Sequence, residues 1–213
     1  MAQFFVIYPD NPQARLLKQA AALLREGAVI VYPTDSGYAL GCRLSDKDAV
    51  ARIRQIRGVD DKHHMTLVCH DLSELAHYAR VDNAQFRLLK NNTPGSYTFI
   101  LEATKEVPRR LQHPKRSTIG LRIPDHPVAL ALLAEMGEPL ISSTLILPDA
   151  AHPLTDIEEI REQLESKVDL IIEGGTVGIE PTTVIDLTDA APVLLRRGKG
   201  EVTHFGIADV DEN

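Results

Sequence analysis

Residues 12–33 read PQARLLKQAAALLREGAVIVYP, and this stretch holds both kinds of element from which the fold is predicted. Over residues 12–26 the apolar side chains fall on one face of a helix, so the pattern predicts a helix there. Asp10 or Asn11 precedes it as the expected N-terminal cap. Residues 28–33 follow as a short β-branched strand that is apolar on both faces, which is typical of a strand inside a sheet.

Helical and strand patterns continue to alternate along the rest of the chain. Further helices are predicted at 46–56, 71–79, 83–90, 127–136 and 156–167. Further strands are predicted in the first ten residues and at 65–69, 97–101, 118–123, 139–147, 168–172, 182–187 and 193–196. This alternation predicts an α/β fold in which helices pack on a twisted open sheet. The last strands follow one another without helices, so we expect a mixed sheet with an antiparallel part.

Length and composition predict one domain over residues 1–213, because the chain suits a single core and contains no repeat or linker. No apolar run approaches the ~20 residues that cross a bilayer, so no membrane partner is expected. The beginning of the chain lacks a basic leader, and Cys42 and Cys69 show no pairing motif. A cytoplasmic location without a structural disulfide is therefore predicted. Residues 206–213 are predicted to form a flexible acidic tail.

Motifs of several common enzyme classes are absent from the sequence. It contains no GxxxxGK[ST], which excludes a Walker-type phosphate loop, and no GxSxG, which removes the basis for a serine hydrolase. Four neighbouring residues could be considered as metal ligands, but their spacing matches no structural zinc pattern, so no metal site is predicted. These residues are His63, His64, Cys69 and His70.

Hydroxyl and arginine side chains recur at the ends of the predicted strands. In open α/β sheets ligands bind in the crevice at strand ends. Threonine and serine hydroxyls beside arginine forks suit a ligand that carries phosphate and carboxylate groups. The segments are YPTDSGYALGC (32–42), STIGLRIPDH (117–126), ISST (141–144), PTTVID (181–186) and LLRRG (194–198).

Taken together, these segments resemble the YrdC/YciO family. YPTDSGYALGC is similar to the family's PTETVYGLG segment, and TPGSYTFIL (93–101) is similar to its PGPxTxxL segment. The other strand-end segments occur in the family's order, and the resemblance covers roughly residues 10–205. The DSGYALGC variant, RGVDDKHHMTLVC (57–69) and STLILP (143–148) resemble the YciO branch more than the principal synthases.

The resemblance implies a reaction that ends in threonylcarbamoyl-AMP, which is used for the t6A modification of tRNA. Threonine and bicarbonate form a carbamate, and the carbamate attacks the α-phosphate of ATP and releases pyrophosphate. The implied ligands are therefore threonine, bicarbonate and ATP, with Mg²⁺ on the nucleotide. Since a carbamate decomposes readily in water, such a site must be concave and largely dry. The protein's part is to align the reactants and to neutralise charge.

The resemblance also implies roles for particular residues. Arg57 and Arg122 are expected to be catalytic, with Arg122 holding the threonine carboxylate as a bidentate fork. A charge within the apolar segment IGLRIP needs an anionic partner. The alternative for each residue is structural, because threonine is common in strands and turns and arginine on surfaces. The other residues expected at threonine are Thr34, Thr144 and Thr182, and those expected at the nucleotide are Arg57, Thr118 and Arg196.

Three positions depart from the motifs of the principal synthases. Gln55 stands where their KxR motif has lysine, Ile146 stands where their SxN motif has asparagine, and Val68 replaces a substrate-facing histidine. The loss of such contacts lowers transition-state stabilisation unless other residues replace them, so we expect weak or altered activity. Candidates to replace them are Lys62, His63 and His64.

The departures at Gln55 and Ile146 favour a second hypothesis, namely a protein that binds tRNA or double-stranded RNA without efficient adenylation. The formal net charge of −7 argues against general nucleic-acid coating, so any binding must use a local basic surface. Pro108 and Pro114 favour the competing interpretation of this segment as a solvated loop. The residues expected to contact RNA are Lys105, Arg109, Arg110, Lys115 and Arg116.

Overall fold

The computed structural model describes residues 1–207, which form ten strands and six α-helices; most of the predicted acidic tail lies outside these residues. The strands are β1 Gln3–Val6, β2 Ile30–Thr34, β3 Gly37–Arg43, β4 Thr66–Val68, β5 Tyr97–Glu102, β6 Thr118–Arg122, β7 Leu140–Thr144, β8 Leu170–Glu173, β9 Thr183–Asp186 and β10 Val193–Arg196. The helices are α1 Ala14–Arg25, α2 Lys47–Arg57, α3 Leu72–Tyr78, α4 Asn83–Asn92, α5 Pro127–Met136 and α6 Ile157–Leu164.

All ten strands belong to one open sheet in the order β1-β8-β2-β3-β7-β4-β6-β5-β9-β10. The β1–β8, β2–β8, β4–β6 and β5–β9 pairs are parallel, and the other pairs are antiparallel. The predicted mixed α/β sheet is therefore confirmed. Antiparallel pairing is not confined to the last strands, because β3 and β7 also run against their neighbours at the centre.

Strand β3 is the one strand within residues 1–207 that the hydrophobic pattern does not predict. Gly37 and Gly41 interrupt its apolar residues, and glycine weakens a strand pattern. The structure gives the reason for the second glycine, since a Cβ at Gly41 would lie 2.8 Å from the ring of Tyr32 on β2. The glycine makes room for the aromatic ring on the adjacent strand.

Aspartates cap four of the helices, whereas the predicted cap of α1 is wrong. The side chains of Asp46, Asp71, Asp82 and Asp156 each accept a hydrogen bond from a backbone N–H in the first turn. Helix α1 instead begins after Gln13, whose side chain makes no capping bond and accepts from the backbone N–H of Tyr8. Asp10 and Asn11 lie in the turn before it.

Helices cover both faces of the sheet, but they leave part of one face open. Helices α1 and α5 pack with the side chains of one face into one apolar cluster, and α2, α3, α4 and α6 contribute to the cluster on the other face. Along β5, Phe99 and Leu101 join the second cluster, whereas Thr98 and Ile100 point the other way and line a cavity. The open cavity therefore lies on the face of α1 and α5, over β4, β5, β6 and β9.

Within residues 1–207, none of the helices combines the length and the apolar composition needed to cross a membrane. Both cysteines are buried free thiols. Burial raises the pKa of Cys42 to about 12 and that of Cys69 well above its ordinary value. Neither thiol is therefore activated as a nucleophile at neutral pH.

Candidate functional site

One cavity of about 360 Å³ brings together the strand-end segments that are far apart in the sequence. Its volume falls within the range of about 300–1,000 Å³ that is usual for small-molecule sites. Six of the seven residues expected at threonine or the nucleotide line it: Thr34, Arg57, Arg122, Thr144, Thr182 and Arg196.

The lining of this cavity is positively charged although the chain is acidic. Three arginines and two histidines line it, and within residues 1–207 no aspartate or glutamate does. The serine and threonine residues that line it are Thr34, Ser36, Thr66, Thr98, Ser142, Ser143, Thr144 and Thr182. Cationic forks with many hydroxyl groups, in a concave site on a sheet face, suit a small polar anion.

Arg122 has an anionic partner, and it is a residue of the protein. The Arg122 side chain is 9 % exposed, and its Nη2 donates to the Asp35 carboxylate, whose side chain is 6 % exposed. Nη1 donates to Ser36 Oγ at 3.0 Å. The burial of Arg122 therefore does not by itself require a ligand anion. A guanidinium has five N–H donors, and Ser36 and Asp35 each take one from the two terminal nitrogens, so further Nη donors remain for a ligand.

Asp35 is held by groups from three further segments. Its carboxylate accepts from Ser96 Oγ at 2.5 Å and from the backbone N–H of Asp125 at 3.2 Å. Its backbone carbonyl accepts from Lys199 Nζ at 2.8 Å. These bonds fix the orientation of the carboxylate and, through it, the direction in which the Arg122 guanidinium points.

Thr34 stabilises a turn and also lines the cavity. Its hydroxyl donates to the carbonyl of Gly37 at 2.7 Å and closes the turn between β2 and β3. The same oxygen lies 3.3 Å from the backbone N of Ser36, which donates to it. Because the hydroxyl proton is used within the turn, Thr34 would contact a ligand mainly as an acceptor.

Thr182 and Arg196 form a connected pair in the cavity lining. Arg196 Nη2 donates to the Thr182 carbonyl at 2.9 Å and lies 3.1 Å from its hydroxyl, which is 2.9 Å from the hydroxyl of Thr98. Burial, and then the positive charge of Arg122, lowers the pKa of Arg196. The two guanidinium groups are thus close enough to repel each other, which favours an anion between them.

Arg57 reaches the cavity from the last turn of α2. Gly58, in the left-handed conformation at φ +63°, ends the helix immediately after it. The Arg57 Nη1 donates to the carbonyl of Thr144 at the end of β7. Burial lowers the pKa of Arg57, and its Nε is buried without a partner among residues 1–207.

Thr118, the seventh predicted residue, lies outside this cavity. It lines a smaller cleft of about 190 Å³ that shares five residues with the cavity: His64, Met65, Ile100, Gly120 and Leu195. It also borders a more open groove of about 610 Å³ at Arg80. A nucleotide contact at Thr118 therefore requires a ligand that extends from the cavity into the smaller cleft.

The three departures from the synthase motifs have different surroundings. Gln55 is exposed on α2 and does not line the cavity, whereas Ile146 does. Predicted strand 139–147 ends at Thr144, and the following turn brings Ile146 to the cavity wall. Val68 is 1 % exposed and packs in the apolar cluster of α1 and α5, so this position does not face the cavity as the resemblance implied.

Two of the five basic residues expected to contact RNA already bond to other groups of the protein. Arg110 donates to the carbonyls of Leu44 and Ser45. Arg116 forms an ion pair of 2.7 Å with the buried carboxylate of Asp186. All five basic residues of the segment are exposed, but Arg110 and Arg116 also bond to other segments of the protein.

Several residues of the site were not predicted from the sequence. Asp35, Ser96 and Lys199 are far apart in the chain and carry no shared motif, so their contact could not be inferred. Thr98 had an available signal, since period-2 alternation in a strand places it on the face opposite Phe99. The signal was not decisive because threonine is common in strands.

The comparisons with known proteins agree with this geometry. Residues 22–198 match the Sua5/YciO/YrdC family model, which is described as "Telomere recombination". The chain is 60% identical over 205 residues to the Escherichia coli (strain K12) "Uncharacterized protein YciO", covering 96% of this chain and 100% of that protein. The crystal structure of E. coli YciO superposes with a TM-score of 0.92 over the same shares of the two chains.

More distant relatives have a described activity. A threonylcarbamoyl-AMP synthase of Halorhodospira halophila is 33% identical over 180 residues, covering 84% of this chain and 93% of that protein. The crystal structure of P. abyssi Sua5 complexed with L-threonine has a TM-score of 0.83 at 28% identity, covering 92% of this chain and 57% of that one. The chain belongs to the Sua5/YciO/YrdC family, and it resembles the YciO members more than the synthases.

Proposed function

We propose that the protein is an L-threonylcarbamoyladenylate synthase-type enzyme that joins threonine, bicarbonate and ATP and releases pyrophosphate. The observation that carries the proposal is the convergence of three arginines and many hydroxyls on one cavity whose lining, among residues 1–207, includes no carboxylate. Its family relatives include threonylcarbamoyl-AMP synthases, and a Sua5 has been crystallised with L-threonine.

In the proposed reaction each of the three arginines that line the cavity has a role. Arg122, oriented by Asp35, would bind the threonine carboxylate through its remaining N–H groups. A carbamate oxygen then forms a bond to the α-phosphorus while the bond to the bridging oxygen of pyrophosphate breaks. Arg57 and Arg196 would neutralise the charge that develops on the phosphate oxygens, which is the main catalytic contribution in phosphoryl transfer.

The lining also bears on how Mg²⁺ would take part. Mg²⁺ in nucleotide sites is commonly bound by substrate phosphates, waters and one or two carboxylates. Residues 1–207 contain no cluster of three histidine, cysteine or acidic side chains that could hold a metal, and no carboxylate of this part lines the cavity. We therefore infer that Mg²⁺ enters with ATP and contributes charge neutralisation there.

Incubation with ATP, Mg²⁺, bicarbonate and labelled threonine, followed by chromatography, tests the proposal. The expected result is a labelled product that elutes with threonylcarbamoyl-AMP, forms with an equal amount of pyrophosphate and disappears when bicarbonate is omitted. The rate is expected to lie below that of a principal synthase assayed beside it. If the synthase yields product and this protein yields none at any protein concentration, the proposal is wrong.

Ile146 offers a way to increase this activity. Because Ile146 lines the cavity, Ile146→Asn is expected to restore a hydrogen bond to the nucleotide and to raise the rate about fivefold. Gln55→Lys, on an exposed position of α2, is the matched control and is expected to change the rate by less than about twofold. The double variant should then match Ile146→Asn. A gain that depends on Gln55→Lys instead would show that the helix position reaches the ligand.

RNA binding is a second candidate function, favoured by the exposure of Lys105, Arg109 and Lys115. They belong to the same segment as Leu111 and His113, which line the smaller cleft. Contacts with phosphates release counterions, so we expect tRNA affinity to fall with salt at a log–log slope of about −0.7 to −0.9 per contact. Replacing the three residues with glutamine should flatten the slope by about two to three units. Arg110 and Arg116 are left unchanged because they bond within the protein.

A control with the same change in charge is available on α1 and α4. Glutamine at Lys18, Arg87 and Lys90, which are all exposed, should leave the slope unchanged. Titration of labelled tRNA at several salt concentrations measures both variants. Equal slopes for the two triple variants would show that the basic segment is a solvated loop.

A further inference from the structure

The loop between α2 and β4 brings two imidazoles to the cavity wall next to Arg57. His63 is half-buried and His64 is exposed, and both line the cavity. The His64 ring stacks on His113, with centroids 5.1 Å apart and planes at 25°. This wall of the cavity is defined by Arg57, His63 and His64.

The wall gathers groups that repel one another when charged. Burial and then Arg57, His64 and Arg54 lower the pKa of His63, and only Asp60 acts in the opposite direction. Burial and then the neighbouring His113 lower the pKa of His64. An anion among these groups would remove the repulsion and favour the protonated imidazoles.

The same wall has an unused donor. Arg57 Nε is buried and has no hydrogen-bond partner within residues 1–207. Because this nitrogen is closed to solvent, a ligand in the cavity would contact Arg57 through the terminal Nη groups of its guanidinium. The nearby Asp61 carboxylate does not compete for this wall, since its side chain is 96 % exposed and pairs with Arg54 at 3.4 Å.

We propose that His63 and His64, together with Arg57, bind the phosphate chain of the nucleotide. This inference rests on the proposed function and assigns one wall of the same cavity to a polyphosphate. The two histidines of the loop would supply the positive charge that Gln55 on α2 does not provide. A polyphosphate fits this wall better than a single carboxylate because it presents several acceptors to donors on three side chains.

The proposal predicts a specific dependence on pH. Imidazoles that are neutral in the free protein must take up protons to bind a polyanion at full strength, so affinity should rise as the pH falls. The groups that face His63 are Arg57 and Arg54 from α2 and Asp60 and His64 from the loop, and His113 faces His64. Of these, the imidazoles are the groups whose ordinary pKa values lie in the tested range.

Calorimetric titration with inorganic triphosphate at about pH 6 and about pH 8 tests the assignment. The wild-type protein is expected to bind about tenfold more tightly than His63→Gln/His64→Gln at the lower pH, with little difference at the higher pH. The titration of triphosphate itself is common to both proteins and cancels in their ratio. His77→Gln/His152→Gln, which removes two imidazoles outside the cavity lining, should behave as wild type.

The variant His64→Lys tests whether the positive charge itself, rather than a particular property of imidazole, increases triphosphate affinity. Its ammonium stays charged at both pH values, so it should bind triphosphate more tightly than wild type at the higher pH. If wild type binds and the double glutamine variant binds equally well at both pH values, the imidazoles have no such role, and the proposed function stands on the arginines. If wild type binds no triphosphate at either pH, the cavity is not a phosphate site, and the proposed function falls with this inference.

Discussion

Arg122→Lys is expected to lower kcat/KM for threonine by about a hundredfold or more while the protein stays folded. Lysine keeps a positive charge for the buried Asp35 carboxylate, so the ion pair survives. It loses the planar fork of terminal N–H groups with which arginine would bind a second carboxylate. The loss of a preorganised charge-assisted donor at the reacting centre has an effect of this size. Steady-state assay with varied threonine, at saturating ATP and bicarbonate, measures it.

A conservative change at another ion-paired arginine provides the control. Arg43 pairs with Glu138 at 2.6 Å and does not line the cavity, so Arg43→Lys should leave kcat/KM within about twofold of wild type. Triphosphate binding by Arg122→Lys should also be retained. If Arg122→Lys has the kinetics of Arg43→Lys, the carboxylate of threonine is bound elsewhere.

Asp35→Ala is expected to have the largest effect on stability. The Asp35 and Arg122 side chains are 6 % and 9 % exposed, so the change leaves a buried guanidinium without its anion. Breaking a buried pair in this way costs about 3–5 kcal/mol. For a protein of this size the melting temperature should fall by roughly 6–20 °C. Asp35→Glu keeps the carboxylate and should be less destabilised.

A double-mutant cycle isolates this pair. Asp35→Ala/Arg122→Met removes both charges and should be more stable than the sum of the single changes predicts, by at least about 2 kcal/mol. Glu102→Ala breaks the surface pair of Glu102 with Arg80, whose side chains are 55 % and 71 % exposed, and should cost less than about 1 kcal/mol. Urea unfolding measures all variants. Additive effects at Asp35 and Arg122 would show that the two groups are not coupled.

The elements with clear local patterns were predicted from the sequence. Helix α5 has its predicted bounds, because Pro127 starts it and the left-handed Gly137 ends it. The cavity was anticipated because hydroxyls and arginines recur at strand ends, and the sheet topology brings those ends together. Strand β3 was missed because its glycines serve packing against the adjacent strand, which local sequence does not reveal.

Tertiary partners explain the remaining differences. The sequence shows that Arg122 needs an anion, but only the fold shows that Asp35 provides one. Motif comparison marks Gln55 as a lost contact, whereas the position of Gln55 on α2 turns it to solvent. His63 and His64 lie in a loop without a periodic pattern, so their arrival beside Arg57 depends on where α2 ends.

The most direct measurement is a crystal structure of the protein with threonine and a non-hydrolysable ATP analogue. We expect both ligands in the one cavity, with the threonine carboxylate within hydrogen-bond distance of Arg122. The phosphates should contact Arg57 and Arg196. Ligands that bind on another surface, or threonine bound away from Arg122 with the Asp35–Arg122 pair unchanged, would contradict the assignment of this cavity to the synthase reaction.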